Sequence, residues 1–489
     1  MLSRRALIAG AAVAGGAAAL SPAARGRSAH PLASRPAAAT VKRALYAGEM
    51  EVPLLGPGKP ATKRFCAYNG TPLATWRFPK GTLLDVEFEN RLPDATTVHW
   101  HGVRIDNRFD GVPPLTQDVV DPGGKFHYEV PLDDPGLYFF HPHCDESGQV
   151  GRGLAALLIV DDEPGKAPAF DVEQVVVVKD WRLGDDGQWL AMSTDDGAST
   201  AGTFGTVRAT NASVVAPRVE APAHGDVRLR VIVADNTRVI DFGCDAKDSA
   251  LIACDGHAIE PVHFDALPDA VWRMGPAMRA DAHVRMPGPG EEVKVYDYRS
   301  AEPYLLMTLV SVDRGRAKRP FRPLALPAPD LPRADVRRAK KLDFTIQTAA
   351  GATIIAPPLP DSDPLAKALV KSFCVGGKTF WAINRTSWAA GPDLRLPPPL
   401  NVLDDGASYV LSITNVTKHV HPMHLHGHVF KVLSSTKKPN LPQILADTMV
   451  VEPNETIEVA FKATRGDWVF HCHILEHMDS GMMGWFKIA

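Results

Sequence analysis

The segment His471-Cys472-His473 is followed by His477 and Met482, so one thiolate, three imidazoles and a thioether fall within twelve positions. Two imidazoles, a cysteine and a weak axial methionine are the ligand set of a blue-copper electron-transfer centre. On an extended strand successive side chains point to opposite faces, so Cys472 faces one way while His471 and His473 face the other. A metal on the cysteine side is then joined through a few covalent bonds to metals on the histidine side, an arrangement suited to moving electrons.

Three further clusters offer more imidazoles: His99-Trp100-His101-Gly102, His141-Pro142-His143, and His421-Pro422-Met423-His424-Leu425-His426-Gly427-His428. A lone His-x-His is weak evidence for metal, because histidines are common in satisfied polar positions. Here ten of the eighteen histidines fall into such clusters as candidate ligands, which scattered core or surface roles do not explain.

These four motifs, in this order and spacing, resemble those of the multicopper oxidases, the family that includes laccases, over essentially the whole mature chain. The resemblance implies four copper ions, one of type 1, one of type 2 and two of type 3. It places type 1 copper on His421, Cys472 and His477, with Met482 axial, and type 2 copper on His99 and His424. The type 3 pair falls to His101, His141 and His473 on one ion and to His143, His426 and His471 on the other. No motif ligand is missing, unlike in inactive structural relatives of this fold. The implied reaction takes single electrons from a phenol, an aromatic amine or a reduced metal ion and reduces dioxygen to two waters, the metals carrying the hard chemistry.

Oxygen reduction also needs protons. Asp110 lies eleven positions after His99, where the family usually has an acid near the type 2 copper. A carboxylate there would pass protons or orient a bound water; the plainer alternative is a turn aspartate before Gly111. Some bacterial laccases carry a second acid directly after the distal type 1 histidine. Here that residue is Met478, and the face to which Glu476 turns is left open.

The elements that must position these residues follow from length and pattern. A chain of 489 residues is too long for one hydrophobic core and points to three domains. Runs such as Thr82 to Phe88 alternate with period two, Val175 to Val178 reads as a buried strand, and helical periodicity is scarce. The expected class is all-β, built of sandwiches. Composition shifts place units at 42–160, 170–312 and 340–489, with linkers at 161–169 and 313–339. Similar His-x-His spacing in the first and third units suggests a duplicated cupredoxin-like Greek-key sandwich, the fold the resemblance implies for all three. The trinuclear site would lie between those two units and the middle one would act as a spacer. Its His224, His257, His263 and His283 are isolated, structural or exposed.

The N-terminus, Ser3-Arg4-Arg5 followed by a small-residue apolar stretch to Leu20, reads as a twin-arginine export signal within residues 1–40, cleaved between Ser21 and Ala39. A general secretory signal is the alternative. A periplasmic protein is expected, with no other segment long and apolar enough to span a bilayer. A formal net charge of −3 and the lack of a basic stripe speak against nucleic acid. With Cys472 committed, Cys66, Cys144, Cys244, Cys254 and Cys374 remain. Cys244 and Cys254 could face each other across a hairpin or stay as buried thiols; Cys144 should point away from the metals. Phenolic or related organic donors are the first expectation. The alternatives are a metallo-oxidase for Cu(I), Mn(II) or Fe(II), or a copper-binding resistance protein. Cuprous oxidases often carry a methionine-rich insert, whereas these 12 methionines are dispersed, with Met423, Met478, Met482 and Met483 gathered near the type 1 residues. Thr353 to Lys371 looks like an insertion, over the type 1 site or merely on the surface.

Overall fold

The computed structural model describes residues 39–350, 353–354, 379–388 and 396–489, all within the compact unit Ala37–Ala489. The expected export signal, all of the 353–371 insertion except Thr353 and Ile354, and Cys374 lie outside them. Six sheets account for the described strands and come in three consecutive pairs.

Each pair is wired alike. In the first, Ala39–Val52 runs parallel to Thr82–Asn90, and Thr75–Pro79 of the facing sheet runs parallel to Ala156–Asp161. The second repeats this with Val172–Trp181 beside Asp226–Val233 and Arg218–Pro222 beside Tyr304–Val312. In the third, Lys340–Thr348 lies beside Ser408–Asn415 and Asn401–Leu403 beside Met483–Ile488. Parallel partners cannot be joined by a tight hairpin, so the chain crosses between sheets and returns, which makes each pair a Greek-key sandwich of cupredoxin type. The repeat therefore includes the middle unit, which the histidine spacing could not reveal because that copy carries none of the motifs.

Cores form as the alternation requires. Along Thr82–Asn90, Leu84, Val86 and Phe88 point inward and are fully buried, while Glu87 faces out. Asp226–Val233, central in its sheet, is buried along its whole length. Cys244 and Cys254 do not meet across a hairpin: Ile240–Cys244 and Ser249–Cys254 belong to different sheets of the middle sandwich, and both thiols are free. Cys144, by contrast, is disulfide-bonded. Among the described residues no helix is long and apolar enough to cross a membrane.

Strand pairing brings the motifs together. His99–His101 pairs with Gly136–His141 so that His99 stands opposite His141. His421–Leu425 pairs with Gly466–Cys472 so that Met423 opposes Cys472 and His424 opposes His471. A slip of one residue would turn every imidazole to the opposite face, so the buried faces on either side hold the register.

The glycine that follows two of the His-x-His motifs has a matching role. Gly102 and Gly427 both adopt positive φ, +80° and +64°. A Cβ on Gly427 would enter the space of the Trp468 ring, which is itself fully buried. Gly427→Ala should therefore destabilise the protein by about 1–3 kcal/mol through backbone strain and overpacking. A chemical-denaturation midpoint equal to that of the parent would contradict this packing.

Candidate metal centre

Between the first and third sandwiches the strands bring eight imidazoles into one buried cluster. Three groups have potential ligand atoms within 4.8 Å of one another: His99, His101 and His424; His101, His141 and His473; and His143, His426 and His471. The rings of His101 and His424 stack with centroids 3.8 Å apart, and those of His99 and His426 with centroids 4.0 Å apart. Each stack joins one imidazole from the first sandwich to one from the third, so the cluster exists only when the two are docked.

A ligating histidine must present one ring nitrogen to the metal while the other is held. His99 donates Nδ1–H to the Asp110 carbonyl at 2.8 Å, and His424 donates Nδ1–H to the Asp447 carbonyl at 2.9 Å. His141 and His471 donate Nδ1–H to the carbonyls of Pro142 and Cys472, each at 2.9 Å. His101 is held by the opposite edge, its Nε2–H reaching Asp447 Oδ1 at 3.0 Å. The nitrogens left over are buried without a hydrogen-bond partner: Nε2 of His99, His141, His143 and His424, Nδ1 of His101 and both nitrogens of His473. The Nε2 atoms of His426 and His471 face each other at 3.0 Å. Orphaned lone pairs converging on one interior are costly unless a cation uses them, so the residues present fit the copper cluster that the resemblance implies.

The second site lies on the other face of the same strand. Cys472 Sγ is 3.6 Å from His421 Nδ1 and 3.7 Å from His477 Nδ1. Burial pushes the Cys472 thiol up, so in the absence of metal it keeps its proton; a bound cation would take that proton's place. The Cys472 amide donates to the Met482 carbonyl at 3.1 Å, setting buried Met482 beside it. Both outer nitrogens are engaged. His421 Nε2 is 2.8 Å from the Thr417 hydroxyl, and His477 donates Nε2–H to the Thr200 carbonyl at 2.9 Å. The Trp381 ring covers both imidazoles, 4.6 Å from His477 and 5.1 Å from His421.

Asp110 is buried between the two halves of the cluster. Its Oδ2 accepts from His426 Nδ1–H at 2.8 Å, while Oδ1 has no hydrogen-bond partner. It is more than a turn residue. His428, also in the motif, donates Nδ1–H to the His426 carbonyl and accepts from the Thr464 amide at Nε2, so it braces the strand end. Glu476 turns away from the cluster: its carboxylate accepts from the amides of Thr194 and Thr203, tying a loop of the middle sandwich over the Cys472 group.

Several residues escaped the sequence reading. Glu146 is fully buried with its Oε1 3.4 Å from His141 Nδ1 and 3.9 Å from His143 Nε2. Arg279, Asp255 and Asp447 form a buried charged group behind His101 and His424. Burial opposes the charge on Asp447, yet the Arg279 guanidinium holds its carboxyl well below the usual range; burial and the neighbouring Asp447 push Asp255 up to about 7. The middle sandwich is therefore no mere spacer, since Thr200, Asp255 and Arg279 all belong to it. Acids and arginines of this kind carry no local pattern. Only the position of Glu146, three residues after His143, could have drawn notice.

Comparison with known proteins places this geometry. Residues 56–165 and 377–489 match two family models, each described as multicopper oxidase. A crystal structure of a multi-copper oxidase from Pseudomonas thermotolerans aligns with a TM-score of 0.78 at 31% identity, over 92% of this chain and 99% of that one. A second, from Pseudomonas parafulva, aligns with a TM-score of 0.73 at 30% identity, over 91% and 100%. Among curated sequences, the multicopper oxidase MmcO of Mycobacterium tuberculosis is 27% identical over 87% of this chain and 83% of its own length.

Buried neutral imidazoles make stability depend on pH. Burial lowers the pKa of His101, His143, His421, His424, His426, His471 and His473, and takes His477 to about 3. His99 is the exception: burial opposes its charge, but Asp110 raises it. Below the ordinary histidine value of 6.5 the unfolded chain binds protons that the folded metal-free cluster refuses, so stability falls as pH falls. Each such histidine adds a slope of up to about 1.4 kcal/mol per pH unit. Denaturant midpoints of the metal-free protein should thus drop steeply between about pH 7 and pH 5; a flat profile would mean that the folded cluster accepts these protons.

Proposed function

The chain belongs to the multicopper oxidase family, and we propose that it couples one-electron oxidation of small phenolic or related organic donors to the four-electron reduction of dioxygen to water. The observation that carries the proposal is the pairing of two complete ligand groups on opposite faces of one strand. His421, Cys472 and His477, with Met482 beside them, would hold the type 1 ion. His99 and His424 would hold type 2, and His101, His141 and His473 with His143, His426 and His471 the type 3 pair. Copper bound at these places supplies the electron storage and oxygen chemistry.

The chain's own residues do the rest. Cys472 and its neighbours His471 and His473 give an unbroken covalent path from the mononuclear group to both type 3 groups. Trp381, Thr417 and Thr200 pack against His421 and His477, so these groups would stand between an arriving donor and the imidazoles. Asp110 fixes the His426 ring, and its Oδ1, 3.3 Å from His99 Nδ1, would pass a proton to the cluster or hold a water there. Met423, Met478, Met482 and Met483 are all buried, so none of them presents a thioether to an arriving cuprous ion. That favours an organic donor over a metal ion. The Arg4-Arg5 signal would deliver the protein to the periplasm already folded, where cell fractionation should find it.

Oxygen uptake by the copper-loaded protein, recorded with a phenol, Cu(I), Mn(II) and Fe(II) as donors, tests the proposal. The phenol should give the highest kcat/KM, and Cys472→Ser should lose both the intense blue band and turnover. A preference for Cu(I), Mn(II) or Fe(II) would reassign the chain as a metallo-oxidase, and tight copper binding without oxygen uptake would make it a copper-binding protein.

Asp110→Asn keeps the size of the side chain but removes the carboxylate that accepts from His426. Turnover should fall by about 10²-fold, while anaerobic reduction of the type 1 site by donor stays near normal, copper content having been checked first. Unchanged oxygen reduction at full copper loading would leave Asp110 with a structural role alone.

A further inference from the structure

The middle sandwich contributes no imidazole to either metal group, yet one of its arginines reaches the back of the trinuclear cluster. We propose that Arg279 is a positioning residue for the trinuclear site, fixing the stacked imidazoles of His101 and His424 through Asp447. The inference rests on the copper assignment above.

The guanidinium of Arg279 is fully buried and all five of its N–H groups find acceptors. Nη1 donates to Asp447 Oδ1 at 2.9 Å and Nη2 to Asp447 Oδ2 at 2.6 Å, a two-pronged grip on one carboxylate. The remaining N–H groups go to the carbonyls of Ala277, Asp255 and Leu137 at 3.1, 3.0 and 3.2 Å. Leu137 lies on the strand that ends at His141, and Asp447 directly precedes the strand paired with His421–Leu425. One side chain therefore touches all three sandwiches at the point where the imidazoles meet.

Asp447 transmits that position. Its Oδ1 accepts from His101 and its carbonyl from His424, so a single residue holds the non-ligating edges of both stacked rings. Asp255 closes the ring from below, accepting from the amides of Arg279, Asp447 and Thr448 at 2.9, 3.1 and 3.0 Å. Gly102 leaves room for the pair: a Cβ there would lie 2.5 Å from Arg279 Nη2 and 2.6 Å from Asp447 Oδ2. Without Arg279, two buried carboxylates would lose the cation between them, and Asp447 could not keep its orientation. A lysine would restore the charge but not the planar fork.

The test uses full-length copper-loaded protein. Arg279→Met and Arg279→Lys are compared with Arg230→Met, which removes another buried arginine of the same sheet, one that pairs with Glu173. Copper stoichiometry, the type 2 electron paramagnetic resonance signal and the blue band are read together. Arg279→Met should bind type 2 copper about 10- to 100-fold more weakly, with the blue band retained, and Arg279→Lys should fall between it and the parent. An unchanged type 2 signal in Arg279→Met, or an equal loss in Arg230→Met, overturns the proposal. If neither Arg279 variant folds, Asp447→Asn decides, since it keeps the carbonyl that serves His424: an altered type 2 signal supports the role and an unaltered one overturns it. Failure of the parent itself to take up copper would instead sink the underlying metal assignment.

Discussion

The constraint on which the rest of this structure depends is the burial of imidazoles with their lone pairs aimed inward. A neutral imidazole has one donor and one acceptor nitrogen, so fixing the donor edge fixes the direction of the lone pair. Backbone carbonyls of Asp110, Pro142, Asp447 and Cys472 do this for His99, His141, His424 and His471. Because these acceptors are main-chain atoms of the strands and turns themselves, the fold and the site cannot be built separately. The β register that packs Leu84, Val86 and Phe88 inward belongs to the same sandwich that presents His99 and His101 at its edge.

The same constraint explains what the middle sandwich does. The first and third sandwiches meet at the histidine cluster, where desolvation of the rings opposes docking while contacts such as Asp110 with His426 and Asn107 with Asp467 favour it. Thr200 caps His477, Glu476 is gripped by the amides of Thr194 and Thr203, and Arg279 bridges to Asp447. These contacts come from a copy of the fold that contributes no imidazole to either histidine group. The asymmetry is informative: one end of that copy covers the Cys472 group, while its Arg279 backs the eight-histidine cluster.

The Cys472 group is also closed from solvent. His421 and His477 are fully buried, and the outer nitrogen of each already has a partner. On the function proposed above, an electron would cross a hydroxyl, a carbonyl or the Trp381 ring before reaching an imidazole, which suits donors that need only close approach. It suits less well any donor that must itself bond to the histidine edge.

By itself the sequence determined which imidazoles and which thiolate are the candidate ligands, their order along the chain and the division of Cys472 from His471 and His473 between two faces. Those follow from a period of two and from the chemistry of thiolates and imidazoles, which are local properties. The all-β class was legible for the same reason, from alternation such as that of Thr82 to Phe88. Only the tertiary structure decided that Asp110 holds His426, that Glu476 faces the Thr194–Thr203 loop, that Glu146 lies beside His141 and His143, and that Cys244 and Cys254 belong to separate sheets. Arg279 meets Asp447 across 168 positions of chain. Arginines and aspartates are common and mostly solvated, so nothing in their local pattern marks the few that become buried partners. Their role is set by which surfaces dock, and docking is a property of the folded sandwiches rather than of any one stretch of sequence.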